Sequence, residues 1–345
     1  MNSINNDFQI KAGLNQNLGT EANSSTQSRE EKNCSLVSFA LPVYNAEGKY
    51  LRRLIDSLLN QELQDFEIVI SDNASDNGTS AICQEYARHD YRVKYHRNQE
   101  NIGQIANFNK VLKLSQGKYL RWIGSDDWLE PDYACQCVEV LETNPDAIAV
   151  TTFQDFTCDD GSRYYQEYKG ERPDSSLAYA RFQRMIWFFN ADVGFIDPIY
   201  TMIRRETLMK TQQLQFVPCM DQVLSLELSI MGAFAHIPKC LAHRRWVFWD
   251  NEIDEKQLMK QYGLERYKEL DDPLGLRVPA LFLSIAWAAR ISNWQKILCL
   301  WSVVRYSALC RWDSTYTKAA QIKAFLKNII TNFKKQYGLQ HRNYI

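Results

Sequence analysis

The chain has 345 residues, of which 45% are hydrophobic and 23% charged, and its formal net charge is -1. At about 150 residues per domain it could hold two domains. It has no G-x-x-x-x-G-K-[ST], G-x-S-x-G or H-E-x-x-H motif, so the commonest phosphate-loop, serine-hydrolase and zinc-protease classes are excluded. The basic C-terminal part has no recognisable RNA- or DNA-binding motif, and no nucleic-acid partner is expected.

Residues 1–33 are rich in Asn, Ser, Gln and charged residues, which predicts a disordered polar tail. They contain no apolar core typical of a signal peptide. The nine cysteines form no C-x-x-C pair and are odd in number, which favours reduced thiols. From these features we expect a cytoplasmic protein.

From residue 36 onward, short apolar runs alternate with stretches whose apolar residues recur at the spacing of a helix face. Strands are predicted at 36–41, 66–70 and 91–95, and a fourth ends in Ser125-Asp126-Asp127. Helical stretches follow the first and third of these strands, and polar residues follow every strand. This alternation predicts an α/β fold with a doubly wound, mostly parallel sheet whose strand ends meet at one edge.

The stretch 117–128, GKYLRWIGSDDW, ends an apolar run in two adjacent carboxylates. At the carboxyl edge of an open α/β sheet, where such folds bind ligands, Asp126 and Asp127 would offer oxygen ligands for Mg²⁺ or Mn²⁺. The alternative interpretation is a polar turn in which Asp126 caps a helix beginning near Pro131.

Four motifs together resemble those of the inverting glycosyltransferases of family 2, which have the GT-A fold and use nucleotide-sugar donors. They are Pro42-Val43-Tyr44-Asn45, Asp72-Asn73-Ala74-Ser75, Asn101-x-Gly103 with Asn109, and Ser125-Asp126-Asp127. The clear resemblance covers residues 35–128, and a weaker one continues to about residue 245. It implies a GT-A domain at 34–250, with a nucleotide-binding half at 34–128 and an acceptor half at 129–250.

The resemblance also implies residue roles. Tyr44 would lie against the nucleotide base, and Asp72 would accept a hydrogen bond from a ring N–H, as expected for uracil or thymine. Asp127 would hold the divalent cation, which stabilises the leaving nucleoside diphosphate. The residues expected to bind the donor are Pro42, Tyr44, Asn45, Asp72, Asn101, Gly103, Asn109 and Asp126.

An inverting transfer needs a general base, because the acceptor hydroxyl must lose its proton in the transition state. The candidate is Asp221, since Met220-Asp221-Gln222 resembles the start of the family's acceptor helix. The alternative interpretation is that Asp221 only caps this helix. The stretch 197–204 is predicted to be a strand of the acceptor half. Its polar side chains could line the acceptor pocket, but ordinary strand alternation explains them equally well.

Many relatives carry a histidine metal ligand shortly after a basic pair. Here His243 precedes Arg244 and Arg245 and no histidine follows them, so no histidine ligand is assigned. The two arginines could pair with the diphosphate.

Residues 251–345 are predicted to form a basic helical extension. From Pro273 to Ile345 there are eleven Lys and Arg against one Asp, and Trp287, Trp294 and Trp301 recur every seven residues. Two interpretations remain open: the helices contact an anionic membrane surface peripherally, or the tryptophans pack them onto the catalytic domain. A membrane-spanning helix is not expected, because basic residues interrupt every apolar stretch.

Together these features predict a glycosyltransferase that moves a sugar from a nucleoside-diphosphate sugar, UDP or dTDP favoured, to a hydroxyl of a glycan or lipid-linked acceptor. The expected mechanism is a single displacement with inversion, and the expected setting is surface polysaccharide synthesis. The alternative is a catalytically silent GT-A scaffold that binds nucleotide sugars or partners in a polysaccharide assembly complex.

Overall fold

The computed structural model describes residues 35–158, 161–166, 170–188, 199–217, 220–246 and 277–308. The predicted tail at 1–33 lies outside these residues. Within the predicted extension at 251–345, only residues 277–308 are described.

The first part of the chain alternates between strand and helix, as predicted. Its elements are β1 (Val37–Val43), α1 (Gly48–Leu59), β2 (Phe66–Asp72), α2 (Thr79–His89), β3 (Val93–Arg97), α3 (Gln104–Leu114) and β4 (Tyr119–Trp122). β1 and β2 are mostly apolar and almost fully buried, which is typical of parallel strands covered on both faces. α1 buries one stripe of side chains, Leu51, Leu54, Ile55 and Leu58, against this sheet.

The second part completes the sheet and adds helices. Its elements are β5 (Trp128–Leu129), α4 (Tyr133–Thr143), β6 (Ala147–Cys158), β7 (Arg163–Gln166), α5 (Ala178–Phe188), β8 (Met202–Arg204), α6 (Arg205–Met209), α7 (Met220–Met231), β9 (Ala233–Trp246), α8 (Arg277–Ala288) and α9 (293–308).

The described strands form one sheet in the order β3-β2-β1-β4-β8-β6-β9-β5, with β7 paired to β6. The long pairings β1–β2, β2–β3, β1–β4 and β6–β9 are parallel. The antiparallel pairings are short, and those of β8 with β4 and β6 span two residues each. This confirms the predicted mostly parallel α/β sheet.

The core has two layers, one on each face of the sheet. In β1, Phe39 and Leu41 face a cluster that includes α1 and α4, whereas Ala40 faces a cluster that includes α3, α5 and α7. Helices therefore cover both faces, which is the doubly wound arrangement expected from the sequence.

The two C-terminal helices pack onto the second of these clusters. Phe282 on α8 and Cys299 and Val303 on α9 are buried there. Among the helices that the structure describes, none combines the length and the apolar character needed to cross a bilayer.

Three boundaries differ from prediction. β1 continues to Val43 and so includes Pro42, which a strand tolerates because β4 ends opposite Ala40 and leaves no ladder partner on that side. α4 begins at Tyr133 with Asp132 in the capping position, so Asp126 is not the cap of this helix. The strand-like stretch 197–204 is a strand only at Met202–Arg204, and residues 197–198 lie outside the described part.

Candidate active site

A cavity of about 220 Å³ lies at the edge of the sheet where β1, β2 and β4 end. Parallel pairing sets Val43 opposite Asp72 and Ala40 opposite Trp122, so the segments that follow these strands emerge side by side. Open α/β sheets bind ligands at this edge. The cavity is lined by Pro42, Val43, Tyr44, Asn73, Gln104, Asn107, Phe108, Gly124, Ser125, Asp126 and Tyr200.

Two carboxylates converge over Gly124. A Cβ at this glycine would lie 3.0 Å from Asp127 Oδ2 and 3.3 Å from Asp126 Oδ1, so the glycine leaves open a space that both carboxylates flank. The Gly124 N–H donates to Asp127 Oδ2 at 3.2 Å, which orients that side chain. A space flanked by carboxylate oxygens suits a hard divalent cation such as Mg²⁺ or Mn²⁺, and the residues present therefore fit the ion expected from the sequence.

Burial makes these carboxylates costly to charge. It raises the pKa of Asp127 to about 6. The positive charge of Arg244 lowers this pKa, and the negative charge of Asp126 raises it further. Burial also raises the pKa of Asp126. A bound cation would relieve this cost, because a positive charge favours the ionised form of both groups.

Arginines surround the carboxylate pair. Arg53 Nη2 donates to the Asp126 carbonyl at 3.4 Å, and Arg244 Nε lies 3.9 Å from Asp127 Oδ2. Arg245 pairs with Glu47 at 2.6 Å. Arg121, on β4, is buried, and its positive charge also lowers the pKa of Asp127. The sequence had indicated only Arg244 and Arg245.

Asp72 does not line the cavity. Its side chain is fully buried, and Oδ1 accepts a hydrogen bond from the Ser75 N–H at 2.9 Å. Oδ2 accepts from the Tyr95 hydroxyl at 2.7 Å and pairs with Arg97 at 3.0 Å. These contacts hold the turn after β2 and occupy the carboxylate expected to contact the base, and the residue that reaches the cavity is the next one, Asn73.

Four asparagines form a hydrogen-bond network at the cavity. Asn98 Nδ2 donates to Asn73 Oδ1 at 2.9 Å and to Asn107 Oδ1 at 3.2 Å, and Asn73 Nδ2 donates to Asn101 Oδ1 at 2.6 Å. Asn73, Asn98 and Asn107 are buried. The network ties the end of β2 to the segments around α3 and fixes two side chains of the cavity lining.

The other predicted donor residues have varied positions. Pro42, Tyr44 and Asp126 line the cavity. Asn45 instead joins two loops, because its N–H donates to Ser75 Oγ and its Oδ1 accepts from the Asp76 N–H.

The remaining two predicted donor residues, Gly103 and Asn109, lie just before α3 and on it. Gly103 has φ of 86°, a conformation that glycine adopts readily, and precedes α3. Asn109 exchanges two hydrogen bonds with the backbone of Leu214, at 2.7 and 3.1 Å, and is not part of the cavity lining.

Asp221 lies in the first turn of α7 and is half-buried. Because α7 leads through Gly232 into β9, which runs parallel to β6, the helix runs back along the sheet and begins at the carboxyl edge. This topology puts Asp221 at the same edge as Asp126 and Asp127.

His243 supports the segment that follows Asp127. Its ring stacks on Trp128 with centroids 5.0 Å apart, Nδ1 contacts Asp155 Oδ1 at 2.6 Å, and Nε2 contacts Glu130 Oε1 at 2.7 Å. Burial disfavours the charged ring, but hydrogen bonds and charges from Asp155 and Glu130 outweigh it and raise the pKa of His243. The ring of His243, on β9, thus links Trp128 on β5 and the adjacent Glu130 to Asp155 on β6.

Asp155, Cys240 and His243 also place one possible metal-ligand atom each within 4.8 Å of one another. However, burial raises the pKa of the Cys240 thiol to about 11, and the pKa of His243 is raised as well. Metal binding requires the deprotonated forms of both groups, and the raised pKa values of both therefore oppose it.

Sequence reasoning missed several cavity residues. Gln104, Asn107 and Phe108 lie at the start of α3. Gly103 in the sequence motif marks the beginning of this helix, so its first turn could have been proposed as part of the lining. Tyr200 comes from a distant part of the chain, in the stretch whose side chains were considered for the acceptor pocket. Nothing in its local sequence indicates that it meets the first half of the chain.

Comparisons with known proteins agree with this architecture. The family model described as Glycosyl transferase family 2 matches residues 38–211, half of the chain. Chondroitin synthase of Escherichia coli is 26% identical over 254 residues, 71% of this chain and 34% of that protein. Abequosyltransferase RfbV of Salmonella typhimurium is 38% identical over 117 residues, 33% of this chain and 34% of that protein. The chain therefore spans about a third of the length of either relative.

Among solved structures, S. aureus TarS 1–349 in complex with UDP is similar, with a TM-score of 0.55 and 16% identity over 77% of this chain and 69% of that one. At this identity the likeness concerns the fold alone, and it supports the GT-A architecture expected from the sequence motifs.

The pairing of His243 generates a prediction on stability. The pKa of His243 is higher in the folded protein than in the unfolded chain, where it is about 6.5. The protonated ring therefore contributes fully to the free energy of unfolding below pH 6.5, and this contribution is lost as the pH rises through the folded pKa. Replacing it by Gln should therefore lower the free energy of unfolding more at pH 6 than at pH 9, as measured by urea denaturation. The exposed His89, replaced by Gln, is the control, and an equal loss at both pH values would contradict the assignment.

Proposed function

Because the chain belongs to glycosyl transferase family 2, we propose that it moves a sugar from a nucleoside-diphosphate sugar to a hydroxyl of a glycan or lipid-linked acceptor. The reaction would be a single displacement with inversion, in the synthesis of a surface polysaccharide. Relatives named chondroitin synthase and abequosyltransferase support this setting.

One observation carries the proposal: two carboxylates flank an open space above Gly124, at one end of a cavity whose lining also includes Tyr44 and Asn73. Asp126 and Asp127 would hold Mg²⁺ or Mn²⁺ there. The bound ion would supply Lewis-acid stabilisation of the departing diphosphate. Tyr44 would lie against the base. The TarS structures are in complex with UDP and UDP-GlcNAc, which supports a nucleotide sugar as the donor class.

The arginines would complete the binding of the leaving group. Arg53 and Arg244 lie within 4 Å of the Asp126–Asp127 segment, and Arg245 is adjacent in sequence. Guanidinium groups bind phosphate oxygens with charge-assisted, often bidentate hydrogen bonds. These residues would hold the diphosphate in place and stabilise the charge that it gains as the glycosidic bond breaks.

The acceptor would enter from the α7 side. Asp221, at the start of that helix, would accept the proton of the attacking hydroxyl while the hydroxyl oxygen bonds to the anomeric carbon. Attack from the face opposite the diphosphate gives inversion in one step. The second candidate function is a silent scaffold of the same fold, which would bind the nucleotide sugar and transfer nothing.

Asp127→Asn tests the donor site. Loss of one carboxylate should abolish the Mn²⁺-dependent part of nucleoside-diphosphate binding, measured by calorimetry, and should slow release of the diphosphate from the sugar nucleotide by about 100-fold or more. Asp76→Asn, an exposed aspartate in the turn after β2, is the matched control. Metal-dependent binding that is unchanged in Asp127→Asn would refute this site.

Asp221→Asn tests the base. Sugar transfer should fall by about 100-fold or more, whereas the dissociation constant for the donor nucleotide should stay within about twofold, because the carboxylate acts only on the acceptor. Glu206→Gln, on α6, is the control for loss of an exposed acid at a helix start. Near-normal turnover in Asp221→Asn would leave helix capping as its role. Donor binding without turnover in the unmodified protein would favour the silent scaffold.

We also propose that α8 and α9 contact an anionic membrane surface. Their inner faces pack on the domain, but their outer faces carry Trp287, Trp294, Ile297, Trp301 and Val304, each 50% to 70% exposed. Trp294 also contacts the Tyr179 ring, with centroids 5.3 Å apart, which supports packing onto the domain for this one tryptophan.

Charge supports this partner. Residues 277–308 contain four basic residues, Arg277, Arg290, Lys296 and Arg305, and no Asp or Glu. Residues 309–345 contain seven Lys and Arg against one Asp, a further net charge of +6. Tryptophans interspersed with basic residues suit the headgroup region of an anionic bilayer, where each basic residue contributes about 1 kcal/mol. A lipid-linked acceptor would be reached from such a surface.

Co-sedimentation of the full chain with vesicles tests this surface. Binding to vesicles that contain phosphatidylglycerol should exceed binding to pure phosphatidylcholine and weaken with salt. The double variant Trp287→Ser, Trp301→Ser should bind about tenfold less tightly, because two aromatic side chains no longer leave water. Tyr91→Ser, an exposed aromatic between α2 and β3, is the control. Equal binding by the double variant would contradict the proposal, as would a concentration-dependent dimer that the double variant abolishes.

A further inference from the structure

The geometry points to a donor base that presents an unprotonated ring nitrogen, cytosine or adenine, in preference to uracil, thymine or guanine. This inference rests on the proposed function and specifies its donor. It comes from two asparagines of the cavity lining, Asn73 and Asn107, whose amide groups are held in one orientation and can offer a ligand only hydrogen-bond donors.

The orientation begins at Lys110. Its ammonium group, which can only donate, contacts Asn98 Oδ1 at 2.6 Å. Asn98 Nδ2 therefore faces the other way and donates its two hydrogens to Asn73 Oδ1 and Asn107 Oδ1. Both cavity asparagines must turn their oxygens toward Asn98.

Backbone groups fix Asn73 independently. The Ile102 N–H donates to Asn73 Oδ1 at 2.9 Å, and the Gly103 N–H donates to Asn101 Oδ1 at 2.9 Å. Since a backbone N–H cannot accept, both oxygens are identified, and Asn73 Nδ2 must be the atom that donates to Asn101 at 2.6 Å. Two donors thus occupy Asn73 Oδ1, and one N–H of its amide remains for a ligand.

Asn107 has the same polarity. Its Nδ2 donates to the Ser71 carbonyl at 2.8 Å, and its Oδ1 accepts from the Ser71 hydroxyl at 2.7 Å as well as from Asn98. One amide hydrogen again remains. Gln104, by contrast, has no side-chain hydrogen bond among the described residues, so it can rotate to present either its oxygen or its nitrogen and does not discriminate.

The position of Asn73 suits the base. It follows β2, Asp126 follows β4, and β1 lies between these two strands. Two strand spacings amount to about 10 Å, comparable to the reach from a diphosphate across the ribose to the base. With the diphosphate at Asp126 and Asp127, the base would therefore lie beside Tyr44 and Asn73.

The pairing edges of the bases then decide the preference. At the centre of that edge, cytosine and adenine carry an acceptor nitrogen, whereas uracil, thymine and guanine carry an N–H. Against the fixed N–H of Asn73 the first group forms a hydrogen bond and the second places two donors face to face. A buried site that is built around one such bond discriminates strongly against a ligand that lacks its partner. The uracil or thymine expected from the sequence relied on Asp72, whose carboxylate is occupied elsewhere.

The test is calorimetric titration of the full chain with CDP, UDP, ADP and GDP in Mn²⁺. CDP should bind at least about tenfold more tightly than UDP, and ADP should bind more tightly than GDP. 3-Deazacytidine diphosphate, which replaces only the acceptor nitrogen by C–H, should bind about tenfold more weakly than CDP. This comparison uses the unaltered protein and does not depend on the folding of any variant.

Asn73→Asp should reverse the order between CDP and UDP, because a carboxylate accepts from the uracil N–H. Asn77→Asp adds the same charge at an exposed position of the same turn and should leave the order unchanged. UDP binding as tightly as CDP, or GDP as tightly as ADP, would overturn the inference and leave the proposed function standing. Failure of all four nucleotides to bind would overturn the proposed function, and this inference with it.

Discussion

The buried negative charge of Asp127 is the constraint around which the carboxyl edge of this sheet is arranged. A carboxylate that is 3% exposed and adjacent to a second carboxylate is unfavourable unless positive charge lies near it. Arg244 at 3.9 Å and the buried Arg121 supply part of that charge. The open space above Gly124 is where the rest would be supplied by a ligand cation. The same burial that makes ionisation of Asp126 and Asp127 unfavourable without a ligand would therefore favour the binding of a cation.

The asparagine network is the second constraint, and it connects the fold to the choice of donor. Neutral amides can be buried at the sheet edge because each donor and acceptor has a defined partner, from Lys110 through Asn98 to Asn73 and Asn107. The same pairing that stabilises the loops after β2 and β3 also removes any freedom of these amides to rotate. A rigid polar lining of this kind favours one base edge over another without moving on binding.

Much of the fold follows from the sequence, because each central strand is an apolar run that ends in polar residues, and parallel pairing brings those ends together. Asp126 could be placed at the site on this ground. The choice between Asp72 and Asn73 could not, since adjacent residues at a strand end point in opposite directions and the motif does not say which one faces the ligand. The position of Tyr200 could not be predicted either, because this residue reaches the cavity only through the pairing of β8 with β4.

A crystal structure of the chain with a nucleoside diphosphate and Mn²⁺ tests the metal site most directly, because the anomalous signal locates the metal. We expect Mn²⁺ above Gly124, held by Asp126 or Asp127, with the base beside Tyr44 and Asn73. A metal bound at Asp155 and His243, or a nucleotide bound away from the ends of β1 and β4, would contradict it.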